Sequence, residues 1–188
     1  MKELARAWLG SSQQHSIHAQ LLKSRGMNKL ADKIMAESDE EFPNAKIYIN
    51  ADEIGADELK GLENIVPVTF TDGAYYNFPE SQKIADGIYF IKAKGHTNGN
   101  SIVIVENDGL FYMLHGDITY MDEALYENKL SVVFDDLPAA RETLDRVRDF
   151  VRNHPTVYCG THTPQGYENL EASRVPRCKQ PKGKFNKA

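Results

Sequence analysis

An α/β sandwich with reactive loops at its strand ends is the fold this sequence predicts. Three observations carry that expectation. A series of short strands begins near Ile84 and includes an Asp-Gly hairpin signal at Asn107-Asp108-Gly109. An amphipathic helix follows at about residues 138–153. A last apolar strand, Thr156 to Cys159, then runs into the polar loop Gly160-Thr161-His162-Thr163. Strands, helix, strand and polar loop is the order of a layered α/β domain, in which loops carry chemistry on a rigid scaffold.

From the N-terminus, residues 1–41 read as helical and polar. Leu4, Ala7 and Trp8, and later Leu30, Ile34 and Met35, sit at helix-like spacing. Phe42-Pro43-Asn44 breaks that region, and Lys46 to Asn50 reads as a short strand. Ala51 to Leu62 reads as a short acidic helix. Ile65 to Phe70 alternates as a strand before the turn Thr71-Asp72-Gly73. Tyr75, Tyr76 and Phe78 form an aromatic cluster suited to core packing or a hairpin edge. Ile88 to Ala93 is a strand, and Ser101 to Glu106 and Leu110 to Leu114 are the two arms of the Asp-Gly hairpin. In the helix that follows, Asp136 is placed to cap the free amides and Pro138 suits the first turn. Leu137, Ala140, Leu144, Val147 and Val151 form its apolar face. His154 falls at its C-terminus, where a cation is favoured, and Cys159 reads as a small core residue.

The chain has 188 residues and a net charge of −5, with 41% hydrophobic and 26% charged residues, an ordinary globular composition. No run of eighteen apolar residues offers a membrane span. The start, MKELARAWLGSSQQ, is a poor secretory signal. Cys159 and Cys178 do not make a disulfide framework, so a reducing cytoplasm is expected. From Glu171 onward six basic residues face one acid, so the rest of the chain carries a net charge of about −10. An acidic body argues against a nucleic-acid surface on the main fold, and the basic tail reads as a solvated end.

Three loops hold the ligand-type residues. They are Lys94-Gly95-His96-Thr97-Asn98-Gly99, His115-Gly116-Asp117 and Gly160-Thr161-His162-Thr163. Each follows an expected strand and sets a histidine or carboxylate beside glycine, where backbone can approach closely. Imidazole and carboxylate suit zinc or iron. Other readings stand beside this one. His96 suits a loop histidine satisfied by backbone, Asp117 a turn residue bonding its own backbone, and Tyr120 a packed loop tyrosine. His115 reads as a residue behind the ligands or at the surface.

These loops resemble those of the metallo-β-lactamase superfamily of metal-dependent hydrolases, and within it the N-acyl homoserine lactone lactonases. Gly95-His96-Thr97-Asn98-Gly99 resembles the family's G-H-T-x-G loop with its third metal histidine. His115-Gly116-Asp117 resembles the loop whose aspartate bridges two metals. Gly160-Thr161-His162 resembles the loop with the last ligand, with Thr161 intervening. In the lactonase group a tyrosine three residues after that aspartate contacts the substrate carbonyl, and Tyr120 stands there. Phe134-Asp135-Asp136 and the helix after it also resemble that group, and the match covers roughly residues 42 to 165.

The resemblance implies a metallo-β-lactamase-like αββα sandwich over residues 42–170, with residues 1–41 replacing the family's first strands and 171–188 a basic tail. Its signature H-x-H-x-D-H does not occur. By register with the 44–50 strand the equivalent segment is Leu21 to Lys29, where Ser24, Gly26, Asn28 and Lys29 stand for His, His, Asp and His. The N-terminal part is therefore read as truncated or rewritten. His15 and His18, sharing one helix face, are another source of imidazole. The implied metal ligands are His96, Asp117 and His162, with Asp117 and Tyr120 as catalytic residues and one or two ions of zinc, iron or manganese as cofactor. The implied function is hydrolysis of a lactone, ester or similar small-molecule bond by a metal-bound hydroxide. The alternative is a silent binding or structural domain on the same scaffold. A sheet lacking strands exposes an unpaired edge, which predicts a homodimer or strand-exchanged assembly.

Overall fold

The computed structural model describes residues 46–55, 64–130 and 132–175. The segment 1–41 with His15 and His18, the break at 42–44, the stretch Leu21 to Lys29 and Cys178 lie outside the described residues, as does the basic tail beyond Val175. The described residues fall into two compact units, one holding 46–49, 54–55 and 64–68, the other 50–53, 69–130 and 132–175. No described helix is long and apolar enough to cross a membrane.

β1 (Ile47–Asn50) and β2 (Ile65–Val68) pair in a two-stranded sheet. The Ile47 amide donates to the Asn64 carbonyl at 3.0 Å where the two meet. The acidic helix expected from Ala51 begins as one 3-10 turn, Ala51–Glu53, and then turns at Ile54 and Gly55. Residues 56–62 of that expectation lie outside the described residues.

The second unit is built on a six-stranded sheet, β3 (Gly73–Tyr75), β4 (Phe78–Ala85), β5 (Ile88–Lys92), β6 (Ser101–Asn107), β7 (Leu110–Leu114) and β8 (Thr156–Cys159), in that spatial order. Neighbours run antiparallel up to β7, and β8 lies parallel to β7. Asp108 and Gly109 both have positive φ, 50° and 77°, the backbone of a tight turn matched to strand twist. That turn pairs Asn107 with Leu110 and Val103 with Leu114.

A parallel neighbour needs a crossover, and two helices supply it. α1 (Asp122–Glu127) is short, and α2 (Leu137–Asn153) is the amphipathic helix expected from the sequence. Asp136 accepts the Ala139 amide at 3.0 Å, and the His154 amide closes the other end on Phe150. Leu144, Val147, Phe150 and Val151 of α2 join Ile91, Ile102, Ile104, Met113 and Tyr158 of the sheet in the main core. Strand alternation sends Tyr112, Leu114, Val157 and Cys159 to the opposite face. All four are buried, and α3 (Pro164–Ala172) packs there, burying Leu170. Tyr75 and Phe78 belong to the core at the β3–β4 hairpin.

Candidate functional site

Strand direction explains why the three loops meet. β5 and β7 are each antiparallel to β6, so they run the same way, and β8 runs with β7. The C-terminal ends of β5, β7 and β8 therefore open on one edge of the sheet. The loops after those ends carry His96, Asp117 and His162.

The loop after β5 is pinned from several sides. At its base the Ala93 amide donates to the Asn100 carbonyl at 2.9 Å, and the Asn100 side chain returns a bond to the Ala93 carbonyl at 2.8 Å. The Gly95 carbonyl accepts from the amides of Asp135 and Asp136, at 3.0 and 3.2 Å, just before α2 begins. Lys94 pairs with Asp136 at 2.9 Å, and the Thr143 hydroxyl donates to the Lys94 carbonyl at 2.7 Å. Gly95 has φ of 150°, and a Cβ on it would sit 2.4 Å from the Ala140 Cα. Only glycine lets the start of α2 come this close.

Asp117 is the centre of the site. His96 Nε2 lies 3.1 Å from its Oδ2, and His162 Nε2 lies 2.5 Å from its Oδ1. The Asp117 side chain is 14% exposed, so it is sheltered yet reachable. His96 Nδ1 lies 2.5 Å from the Val133 carbonyl oxygen. A carbonyl only accepts, so Nδ1 must donate, and the lone pair of a neutral His96 is left on Nε2, facing the carboxylate. Two acceptors face to face repel unless a proton or a cation lies between them. That is the donor chemistry of a metal ligand whose second nitrogen is held by backbone, and it fits a divalent cation. The Tyr120 ring leans on His162 with centroids 4.2 Å apart and planes at 46°.

The count of donors is small. Among the described residues, no group of three or more His, Cys, Asp or Glu side chains closes on one point as a ready-made cage. Two imidazoles and one carboxylate meet pairwise instead, each imidazole on its own carboxylate oxygen.

Behind these residues lies a buried layer. His115 is 1% exposed, and its ring stacks on Tyr158 at 3.8 Å and 13°. It is not at the surface, one of its two expected places, because β7 delivers it inward where its chain turns at Gly116. Burial pushes its pKa down to about 3, with the nearby His162 adding to the fall. The Gly116 backbone opposes this, yet neither ring nitrogen reaches a hydrogen-bond partner among the described residues. The Tyr158 hydroxyl bonds the Thr119 hydroxyl at 2.9 Å. Asn169 of α3 donates to the Tyr158 carbonyl at 3.0 Å and to buried Asp122 at 2.8 Å, which ties α1 and α3 beneath the Asp117–Met121 loop. Burial raises the Asp122 pKa.

Several of these residues carried no signal in the sequence. Val133 acts through its backbone, which any residue supplies. Thr119, Asp122 and Asn169 find their partners only through packing. Asn50 and Glu53 also touch the His96 loop; Asn50 stood at the end of a segment read as a strand and Glu53 inside one read as an acidic helix.

No protein-family model matches this chain, and no curated protein matches it. Solved structures do match. A variant of B. thuringiensis AiiA, with N-decanoyl-L-homoserine bound at its active site, is 17% identical with a TM-score of 0.53, over 73% of this chain and 54% of that one. An N-acyl homoserine lactone hydrolase, with N-hexanoyl-L-homoserine bound at its catalytic metal center, gives the same identity, coverage and TM-score. A probable metal-dependent hydrolase from Staphylococcus aureus is 18% identical with a TM-score of 0.52, over 64% of this chain and 46% of that one. The chain spans about half the length of the solved structures it matches. The fold is metallo-β-lactamase-like, as the three loops led one to expect.

Proposed function

We propose that this chain is a metal-dependent hydrolase acting on a lactone, ester or similar bond, with His96, Asp117 and His162 as the residues that would hold the cation. What supports this is the meeting of two imidazoles on the two oxygens of one carboxylate, at the strand-end edge of a metallo-β-lactamase-like sheet. The solved structures of similar fold include an N-acyl homoserine lactone hydrolase and a probable metal-dependent hydrolase.

When bound, a divalent ion lowers the pKa of a water to about 7 and so supplies a nucleophile for hydrolysis at neutral pH. The chain's own residues do the rest. Asp117 sets one carboxylate oxygen opposite the Nε2 of each imidazole, so all three would serve as donors to a cation. The Val133 carbonyl holds the His96 proton on Nδ1, keeping Nε2 as the ligand atom. Tyr120, whose ring leans on His162, would donate a hydrogen bond to the oxyanion that develops on the scissile carbonyl. Losing one such donor costs about 2.7–4 kcal/mol of transition-state stabilisation.

Reconstitution with zinc, iron or manganese, followed by elemental analysis and a panel of lactones and esters, tests this. One or two equivalents of metal and hydrolysis of a panel member are expected, both lost in His96→Ala. A protein that takes up no metal and hydrolyses nothing overturns the proposal and leaves the silent domain.

A further inference from the structure

We infer that Glu53 is a positioning residue for His96, acting through the backbone of Gly99 together with Asn50. This rests on the metal reading of His96 given above. Asn50 ends β1 and Glu53 closes the 3-10 turn that follows it, about 45 residues before the loop they touch. Glu53 Oε1 accepts the Thr97 hydroxyl and, at 2.9 Å, the Gly99 amide. The Asn50 side-chain amide donates to the Gly99 carbonyl at 2.9 Å and to the Ser101 hydroxyl at 3.2 Å. Asn50 is itself held, since its carbonyl oxygen accepts the Asp52 amide at 3.0 Å, and it is 3% exposed.

Both backbone groups of Gly99 are thus taken by side chains from one turn. A Cβ on Gly99 would lie 2.2 Å from the Glu53 Cγ, so the glycine is required by the closeness of this clamp. Surface glutamates usually pair with solvent or a cation, but this carboxylate spends one oxygen on two donors of the loop. Charge-assisted bonds of this kind are roughly twice as strong as neutral ones. His96 is adjacent to Thr97, so whatever fixes the Thr97 hydroxyl and the Gly99 amide fixes the approach of the imidazole. From the other side, the Asp135 amide donates to the His96 carbonyl at 3.1 Å and the Val133 carbonyl takes Nδ1. The loop is gripped between a turn below and the start of α2 above, and Glu53 is the charged half of the lower grip.

The test uses the full chain and cobalt(II) as probe, read by its visible absorption on titration. Outer-shell partners of metal ligands typically carry 10–100-fold in affinity. Glu53→Ala is expected to weaken cobalt binding at least about tenfold. Glu53→Gln keeps an oxygen acceptor for both donors but loses the charge, and is expected to weaken binding less than the alanine does. Thr97→Val removes one of the two bonds and is expected to fall between them, which serves if Glu53→Ala does not fold. Unchanged affinity in Glu53→Ala, or in Thr97→Val where that substitute is used, overturns the inference. So does a Glu53→Gln variant as weak as the alanine. If the parent takes up no cobalt, the hydrolase proposal fails, and positioning is read instead from the nitrogen-15 shifts of the His96 ring in metal-free protein. Loss of the Nδ1-protonated tautomer in Glu53→Ala and its retention in Glu53→Gln then support the inference, whereas identical spectra overturn it.

Discussion

A buried imidazole with no hydrogen-bond partner among the described residues is an expensive choice for position 115, and it sets how the domain meets acid. His115 has its pKa pushed from 6.5 to about 3 by burial. Between those values the unfolded chain binds a proton that the folded chain refuses. Stability therefore rises with pH across this window and is fully present above 6.5. Below 6.5 it falls by about 1.4 kcal/mol per pH unit until the folded pKa is reached. His115→Phe keeps a ring to stack on Tyr158 and cannot bind the proton. Urea unfolding between pH 4 and 7.5 is expected to show a flatter acid limb in the variant, whatever its stability at neutral pH. Equal slopes would mean that His115 is not held neutral. The residues legible at this scale were those with local marks. His96, Asp117 and His162 each sit near a glycine just past an apolar strand. Glu53 bears no such mark, because its meaning comes from Thr97 and Gly99, more than forty residues on.

The elements legible in the sequence are α2, which buries one clean face, and β7 and β8, short apolar runs buried on both faces. All three appear where the apolar runs and the 3.6-residue repeat place them, within a residue. β4 was missed because its sequence, FPESQKIA, buries only Phe78 and Ser81 and otherwise faces outward. α1 has six residues and α3 carries Pro164 and Gly166, so neither gives a long enough repeat to stand out. α1 is held instead by its neighbour: Arg148 and Arg141 of α2 donate to the carbonyls of Leu125 and Asn128, at 2.8 and 3.0 Å. The contact between α2 and the His96 loop is the element-level feature with most consequence. Gly95→Ala would drive a Cβ to within 2.4 Å of Ala140 Cα and 2.7 Å of its nitrogen, both backbone atoms that cannot swing aside. The start of α2 must then move, and with it the amides that hold the Gly95 and His96 carbonyls. A loss of about 2–3 kcal/mol is expected in chemical unfolding, at the upper end of overpacking costs. Gly109→Ala, at φ of 77° in open space, is expected to cost only the about 1–2 kcal/mol of left-handed backbone. Equal losses at the two positions would show that α2 does not press on this loop.

At the scale of the whole second unit, one sheet edge gathers loops from positions 96, 117 and 162, and three separate strands must keep their register for the side chains to meet. The sandwich was legible because strand order and loop motifs agreed; residues 1–41, read as helical, lie outside the described residues. A cation held by His96, Asp117 and His162 would tie the ends of β5, β7 and β8 and would bind the folded state alone. Mass action then stabilises the fold by about 2.7 kcal/mol at a free metal concentration one hundred times Kd. For a chain of this length each kilocalorie is about 2–4 °C of Tm, so zinc is expected to raise the transition by about 5–10 °C over the same protein in chelator. The rise should grow with the logarithm of zinc concentration and vanish in Asp117→Ala, which removes the group both imidazoles share. Differential scanning calorimetry of parent and variant, with zinc and with chelator, checks both points. A parent whose Tm ignores zinc would mean that the three loops do not close on a metal, because no ligand can bind the native state tightly and leave its stability unchanged.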